Sequence, residues 1–196
     1  MNCKMKRIGI LGGTFNPPHL GHLIIAEEVR LALELDEVWF IPTYTPPHKD
    51  DAKTGVDDRI RMTELAIETN PHFKINTIEI KRSGKSYTID TMKELATLHP
   101  NHEFYFIIGA DMVEYLPKWH DIDELVKLVP FVGVKRSGYE LETEYDILTV
   151  NIPLIDISST EIRKRLQNNR SVNYLVPERV YAYIRGERLY GDKGSN

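Results

Sequence analysis

Hydrophobic positions along the chain follow two alternating patterns, short apolar runs and longer amphipathic segments. The apolar runs predict buried strands at 8–11, 38–42, 73–80, 104–108, 131–134 and 148–150. The amphipathic segments predict helices at about 20–35, 57–69, 88–99, 112–116, 121–128, 158–168 and 177–185. This alternation predicts an α/β fold, a Rossmann-like doubly wound parallel sheet with helices on both faces and a small C-terminal helical extension.

The first predicted strand leads into a stretch rich in glycine, proline and histidine, Gly12-Gly13-Thr14-Phe15-Asn16-Pro17-Pro18-His19-Leu20-Gly21-His22. Glycines allow the backbone to turn tightly and to approach a ligand closely, so a turn is expected at Gly12 and Gly13. In the helix that follows, the apolar residues Leu20, Ile24, Leu31 and Leu35 are predicted to share one face.

The start of this first helix is a candidate anion site. The first turn of a helix has unsatisfied N–H groups and the positive end of the helix dipole. His19 and His22 are three residues apart, so their side chains are predicted to lie side by side there. Two imidazoles beside free N–H groups suit a polyphosphate, although a surface pair and a capping pair explain the same spacing. No Cys or carboxylate partners occur at a spacing typical of zinc ligands.

Length and composition narrow the class of protein. The 196 residues suit one domain over 1–196, with a C-terminal helical part at about 158–190 and a disordered end at 191–196. With 41% hydrophobic and 28% charged residues, the profile is that of a soluble globular protein. The net charge of −4, without a long basic block, makes nucleic acid an unlikely main partner and leaves a small anionic substrate open.

Cysteine usage and hydropathy point to the cytoplasm. Cys3 is the only cysteine, so the chain has no internal disulfide, and a catalytic thiol so near the terminus is improbable. No segment approaches the ~20 apolar residues that a membrane span needs. The sequence therefore predicts a cytoplasmic protein that does not bind a membrane.

The glycine- and histidine-rich stretch resembles the signature of nucleotidyltransferases with a His-x-Gly-His loop. It differs from the dinucleotide-binding Gly-x-Gly-x-x-Gly pattern. The residues of this stretch are similar in particular to those of the bacterial nicotinate-mononucleotide adenylyltransferase family. The resemblance extends from Ile8 to about Arg163, with the motifs in the expected order.

A second motif, Ile157-Ser158-Ser159-Thr160-Glu161-Ile162-Arg163, opens a late helix. Ser158 followed by Glu161 forms a capping box, which alone accounts for these two residues. The same helix start also offers hydroxyls, free N–H groups and the planar fork of Arg163, which suits phosphate oxygens. The stretch resembles a motif found late in the same superfamily, and the pair of motifs predicts two helix starts that face each other across a triphosphate.

Two further segments follow predicted strands. Asp111 either caps a short helix or accepts a ribose hydroxyl. The resemblance implies that its segment lines the cleft between the nucleotides and that Trp119 stacks on the nicotinate ring, whereas ordinary core packing also explains this tryptophan. Ser86 or Thr88 is a plausible N-cap, and the N–H groups of that helix start suit the nicotinate carboxylate.

The resemblance implies three sets of functional residues. The catalytic set is His19, His22 and Arg163. The ATP-binding set is Gly12, Gly13, Thr14, Phe15, Asn16, His19, His22, Gly109, Asp111, Ile157, Ser158, Ser159, Thr160 and Arg163. The mononucleotide-binding set is Lys49, Thr88, Tyr115, Trp119 and Arg136, of which Lys49 and Arg136 are equally explained as solvated surface charges. Asn16 departs from the aspartate common at its position, so it is not assigned to a metal.

The resemblance implies that ATP and nicotinate mononucleotide give nicotinate adenine dinucleotide and pyrophosphate, in NAD biosynthesis. The attacking group is a substrate phosphate that is already ionised, so catalysis needs positioning and charge stabilisation and no enzyme nucleophile. Mg²⁺ is expected to be held mainly by ATP phosphates and water. Alternatives are adenylyl transfer to nicotinamide mononucleotide or phosphopantetheine, and a nucleotide-binding sensor without turnover. Val180 and Tyr183 pack either inside the chain or against a second copy in a homodimer.

Overall fold

One six-stranded sheet forms the centre of the molecule. The computed structural model describes residues 5–44, 54–136, 142–153 and 156–191. The strands are β1 (Lys6–Gly13), β2 (Glu37–Pro42), β3 (Phe73–Ile75), β4 (His102–Gly109), β5 (Phe131–Arg136) and β6 (Leu148–Ile152). The helices are α1 (Leu20–Ala32), α2 (Val56–Ile67), α3 (Ile78–Arg82), α4 (Thr88–Leu98), α5 (Ala110–Val113), α6 (Ile122–Leu128), α7 (Ser159–Gln167) and α8 (Glu178–Gly186), with 3₁₀ turns at Leu116–Lys118 and Leu189–Gly191.

All neighbouring strands are parallel, in the order β3-β2-β1-β4-β5-β6. β1 lies between β2 and β4, with Gly13 opposite Pro42 and Leu11 opposite Ile107. The strand order reverses between β1 and β4, and ligands of such sheets bind at this switch point, outside the carboxyl ends of the strands. The predicted parallel α/β sheet is confirmed.

Apolar side chains are buried on both faces of the sheet. On one face, Ala26 and Val29 of α1 join Met62 of α2 and Ile184 of α8 in one cluster. On the other, residues of α4 and α6, such as Met92, pack in a second cluster. Helices therefore cover both faces, as the alternating pattern predicts. No helix among the described residues is long and apolar enough to cross a membrane.

The strand predicted at 73–80 is wrong in its second half. β3 ends at Ile75 and is followed by α3. The Asn76 side chain accepts a hydrogen bond from the backbone N–H of Ile78 (3.0 Å). Bonds of this kind from Asn to the chain two residues on favour a turn, which ends the strand.

The buried face predicted for α1 is also partly wrong. Leu31 is 57% exposed, whereas Ala26 and Val29 are fully buried. The helix ends at Ala32, and Leu35 is buried from the loop that follows it. The apolar face of α1 is thus rotated relative to the face predicted from the leucines.

The C-terminal helix α8 packs within the chain. Val180 is fully buried, and the Tyr183 hydroxyl donates to Asp58 Oδ1 on α2 (2.8 Å). Arg179 forms an ion pair with Glu68 (2.8 Å). Of the two arrangements open for Val180 and Tyr183, the structure shows packing inside the chain.

Candidate active site

The loop after β1 does not turn where the glycines predict. β1 continues through Gly13, and the chain turns at Phe15, whose φ is 49°. A Cβ built on Gly13 would lie 3.1 Å from the Phe15 ring, so Gly13 leaves room for that ring. Among the residues that the structure describes, a Cβ built on Gly12 would meet only Phe106 Cζ, at 3.6 Å. The space beside the exposed Gly12 is therefore open to a ligand.

Phe15 anchors this loop in the core. Its side chain is 2% exposed and packs against Phe40, with ring centroids 5.6 Å apart. Phe15 and His22 also pack edge to face, with ring centroids 5.1 Å apart and ring planes at 75°. Because the ring is buried, any part that Phe15 has in nucleotide binding comes from its backbone.

The two histidines lie side by side, as their spacing predicts. Their rings stack with centroids 3.7 Å apart and planes 25° apart. The backbone N–H of His19, the N-cap of α1, donates to His22 Nδ1 (3.1 Å). With Nδ1 as acceptor, neutral His22 carries its proton on Nε2. His19 Nδ1 is buried and has no hydrogen-bond partner among the described residues.

Burial keeps both imidazoles neutral. It lowers the pKa of His19 to about 4. Burial, together with the neighbouring His19, holds the pKa of His22 well below its ordinary value. At neutral pH the pair therefore offers ring N–H donors to an anion and no fixed positive charge. A bound anion would raise both pKa values, because an opposite charge favours the protonated form.

The second motif meets the first through direct hydrogen bonds. Ser158 caps α7, since its Oγ accepts from the backbone N–H of Glu161 (3.2 Å). The Ser159 hydroxyl donates to the Pro17 carbonyl (2.9 Å), and Arg163 Nη1 donates to the Asn16 carbonyl (2.8 Å). The starts of α1 and α7 are thus held together, and their arrangement across a triphosphate stays a prediction.

The Arg163 side chain is half-buried, and its bond to the Asn16 carbonyl uses only Nη1. Its Nη2 donates to Thr160 Oγ1 (3.3 Å), on the exposed first turn of α7. Ile157 packs against the core just before the helix. The hydroxyls of Ser158 and Thr160 lie at the surface. The start of α7 therefore presents backbone N–H groups, hydroxyls and a guanidinium on one side of the loop.

Arg59 of α2 is a site residue that sequence reasoning missed. It is 1% exposed, and its Nη1 donates to the carbonyls of Thr14 (2.9 Å) and Thr43 (2.8 Å). Its Nη2 donates to the Tyr44 carbonyl (3.1 Å). Burial lowers the pKa of Arg59. Its charged helix gave no sign that this arginine points inward to tie the loop after β1 to the end of β2.

Tyr190 is the second missed residue. Its hydroxyl donates to Asn16 Oδ1 (2.5 Å), and Met62 Sδ lies 3.9 Å from the same oxygen. Asn16 is 7% exposed, with its side chain bonded to Tyr190 and its carbonyl to Arg163. A tyrosine so near the chain end, beside residues expected to be disordered, carries no sequence signal for a site.

On the other side of the switch point, Trp119 is half-buried. Its indole packs edge to face against Phe106 and Phe131, with ring centroids 5.8 and 5.9 Å away. Tyr115 is 50% exposed, with Lys118 Nζ 5.0 Å from its ring centre. Core packing therefore accounts for part of the Trp119 environment, while Tyr115 lies at the surface beside Lys118.

The caps predicted in this region are wrong. The N-cap of α4 is Tyr87, whose backbone is extended, so Ser86 lies before the cap and Thr88 is the first helical residue. The N-cap of α5 is Gly109, which leaves Asp111 inside the helix. The observed N-caps, Tyr87 and Gly109, lie one or two residues from the predicted ones. Neither observed N-cap uses a side-chain hydrogen bond, so the backbone alone sets where these helices begin.

Three predicted positions are described only in part. Lys49 lies outside the described residues. Asp111 and Arg136 are described by their backbone alone, in α5 and at the end of β5. Within the described ranges, no group of three or more His, Cys, Asp or Glu side chains is arranged to hold a metal ion.

Comparisons with known proteins agree with this geometry. A family model described as cytidylyltransferase-like matches residues 10–165. A protein of Oceanobacillus iheyensis is 60% identical over 187 residues, 95% of this chain and 98% of its own. One of Geobacillus thermodenitrificans is 56% identical over 192 residues, 97% of this chain and 89% of its own. Both are named probable nicotinate-nucleotide adenylyltransferase.

The fold also matches a solved structure. The nicotinic acid mononucleotide adenylyltransferase of Plasmodium falciparum, complexed with NaAD, superposes with a TM-score of 0.79. It covers 96% of this chain and 98% of its own, at 24% sequence identity. At this identity the likeness concerns the fold.

Proposed function

The chain belongs to the cytidylyltransferase-like family, and we propose that it is a nicotinate-nucleotide adenylyltransferase. It transfers AMP from ATP to nicotinate mononucleotide and releases pyrophosphate. The observation that carries this proposal is the union of two helix starts at the switch point of the sheet, with Arg163 bonded to the Asn16 carbonyl (2.8 Å). The names of relatives up to 60% identical along 95% of the chain support the choice of substrate.

ATP binds with its triphosphate between the starts of α1 and α7. Both helices direct the positive ends of their dipoles toward this space, and α7 adds the N–H groups of Ser159 and Thr160. In α1 the N–H groups of Leu20 and His22 already donate to the carbonyls of Leu175 and His19. The open side of Gly12 lets the nucleotide approach the backbone. His19 and His22 donate ring N–H groups, and Arg163 with the amides of 158–160 binds the far phosphates.

The reaction is an in-line displacement at the α-phosphorus. An ionised phosphate oxygen of the mononucleotide forms the new P–O bond while the bond to pyrophosphate breaks. Negative charge moves to the leaving pyrophosphate, where the neutral His22 N–H and the Arg163 guanidinium stabilise it. The attacking oxygen has no proton to lose at neutral pH, so no general base is required.

Mg²⁺ supplies charge neutralisation when bound with ATP. Asn16, at the centre of the loop, has its carboxamide oxygen bonded to Tyr190 and its carbonyl to Arg163. We expect ATP phosphate oxygens and water to hold the ion, as is usual for Mg²⁺.

The mononucleotide binds on the α4 and α5 side of the switch point. The first-turn N–H groups of α4, beginning at Thr88, face the nicotinate carboxylate. Trp119 and Tyr115 provide aromatic surface for the pyridine ring, and Lys49 and Arg136 bind the phosphate. The homodimer and the cytoplasmic location predicted from the sequence stay predictions.

Pyrophosphate release tests the proposed function. The protein is mixed with ATP and Mg²⁺ and, separately, with nicotinate mononucleotide, nicotinamide mononucleotide or phosphopantetheine. We expect release with the first, together with a product whose mass equals mononucleotide plus AMP less water. Release with phosphopantetheine alone contradicts the substrate, and no release with any acceptor favours a nucleotide-binding sensor.

A further inference from the structure

The C-terminal 3₁₀ turn at Leu189–Gly191 reaches the centre of the proposed ATP site. Tyr190 donates its hydroxyl proton to Asn16 Oδ1 across 174 residues of sequence. Its backbone is in the left-handed region, with φ 60° and ψ 18°. A residue with a large side chain adopts this conformation only where its surroundings hold it there.

The Tyr190 hydroxyl keeps its proton, and therefore its role as a hydrogen-bond donor, at neutral pH. Burial raises the pKa of its hydroxyl, against the opposing effects of Thr54 and of the nearby Arg163 and Arg59 charges. The hydroxyl therefore stays protonated throughout the neutral range. Its acceptor, Asn16, is 7% exposed, so water does not readily replace the bond.

Asn16 connects this bond to the phosphate-binding groups. Its side chain is held by Tyr190 and its carbonyl by Arg163, and it precedes by three residues the N-cap histidine of α1. A shift of Asn16 therefore moves the Arg163 guanidinium and the start of α1 together. Both groups lie in the proposed ATP site, and neither belongs to the mononucleotide side.

We propose that Tyr190 is a positioning residue of the adenylyl-transfer site, which fixes Asn16 and thereby the triphosphate-binding loop. The proposal rests on the proposed function for its kinetic readout. It assigns the C-terminal turn a part in ATP binding beyond packing. Loss of the hydroxyl then weakens steps that involve ATP and leaves mononucleotide binding unchanged.

Tyr183 supplies a matched control on the same C-terminal segment. Its hydroxyl also donates one hydrogen bond, to Asp58 (2.8 Å), but this bond joins α8 to α2 and involves no residue of the loop after β1. Tyr183→Phe and Tyr190→Phe each delete one hydroxyl. A purely structural role of Tyr190 predicts similar effects of the two changes.

The experiment compares the full-length wild type, Y190F, Y183F, N16A and the double variant N16A/Y190F. The readouts are the ATP dissociation constant by calorimetry, kcat/KM for ATP, KM for nicotinate mononucleotide and the thermal midpoint. We expect Y190F to lower kcat/KM for ATP and ATP affinity about 10-fold. Y183F stays within about 2-fold of wild type, and KM for the mononucleotide changes less than about 2-fold in both.

The double variant tests the route through Asn16. Because Tyr190 acts on Asn16, adding Y190F to N16A causes less than about 2-fold further loss of ATP affinity. Equal effects of Y190F and Y183F overturn the proposal, as does a full further 10-fold loss in the N16A background. Should Y190F prove too unstable to assay, N16A alone decides, since a wild-type affinity for ATP contradicts the proposal.

The calorimetric arm separates the two proposals. A wild type that binds ATP but makes no dinucleotide from nicotinate mononucleotide refutes the proposed function. In that case a selective loss of ATP affinity in Y190F still supports the positioning role, and an unchanged affinity refutes it.

Discussion

Replacing His22 with alanine tests the centre of the proposed ATP site. The imidazole has two separable parts in the structure. Its Nδ1 accepts the His19 backbone N–H (3.1 Å), and its ring stacks on the His19 ring (3.7 Å). Its Nε2–H is the group that we propose donates a hydrogen bond to the leaving pyrophosphate. The first part supports the helix start, and the second stabilises the transition state.

The two parts predict losses of different size. Removal of one neutral hydrogen bond costs about 1 kcal/mol of folding free energy. Removal of one transition-state donor lowers kcat by roughly 10²–10³, or about 2.7–4 kcal/mol of barrier. His22→Ala is therefore expected to stay folded at assay temperature while kcat for pyrophosphate release falls by that factor.

His22→Gln serves as the matched control. A glutamine at the third helical position accepts the N-cap N–H in a capping box, so it restores the structural bond without the imidazole. We expect its thermal midpoint to return toward wild type while kcat remains low. A kcat of His22→Ala within about 3-fold of wild type, at saturating ATP and mononucleotide, refutes the role of His22.

Three other changes probe the loop and its support. Gly12→Ala adds a Cβ at an ordinary contact distance of 3.6 Å from one side chain, so we expect an unchanged thermal midpoint. Its ATP affinity should fall at least about 10-fold, because the Cβ occupies the space beside the backbone that the nucleotide approaches. The control Gly9→Ala, whose Cβ would lie 2.9 Å from a core side chain, should instead lower the thermal midpoint. The pKa of His19 is about 4 when folded and about 6.5 when unfolded, so the unfolded state binds the proton first as pH falls. Urea titrations should show about 3 kcal/mol of stability lost between pH 6.5 and 4, and the same loss in His19→Asn contradicts this source. Arg59→Met leaves three carbonyls unpaired and should lower the free energy of unfolding in urea by about 3–5 kcal/mol; a change under about 1 kcal/mol contradicts that reading.

Local patterns predicted those parts of the molecule that depend on neighbouring residues. Apolar runs and amphipathic segments predicted the parallel sheet, because strand and helix periods are properties of short stretches. The stacking of His19 on His22 followed from a spacing of three residues. The predicted strand at 73–80 was wrong because the Asn76 side chain bonds to the backbone and ends it at Ile75.

Residues that act over long sequence distances gave no local signal. Arg59 contacts Thr14 across 45 residues, and Tyr190 contacts Asn16 across 174. A charged residue on an amphipathic helix is typical of a solvated face, and a tyrosine near the chain end is typical of a frayed tail. Only the packing of α2 and the C-terminal turn against the loop shows their part in the site.

A competition assay measures the central claim most directly. The protein is incubated with ATP, Mg²⁺ and an equimolar mixture of nicotinate and nicotinamide mononucleotides, and the two dinucleotide products are quantified at low conversion. Their ratio equals the ratio of kcat/KM for the two acceptors. We predict that the nicotinate dinucleotide predominates. A predominance of the nicotinamide dinucleotide contradicts the substrate assignment, and formation of neither contradicts adenylyl transfer at this site.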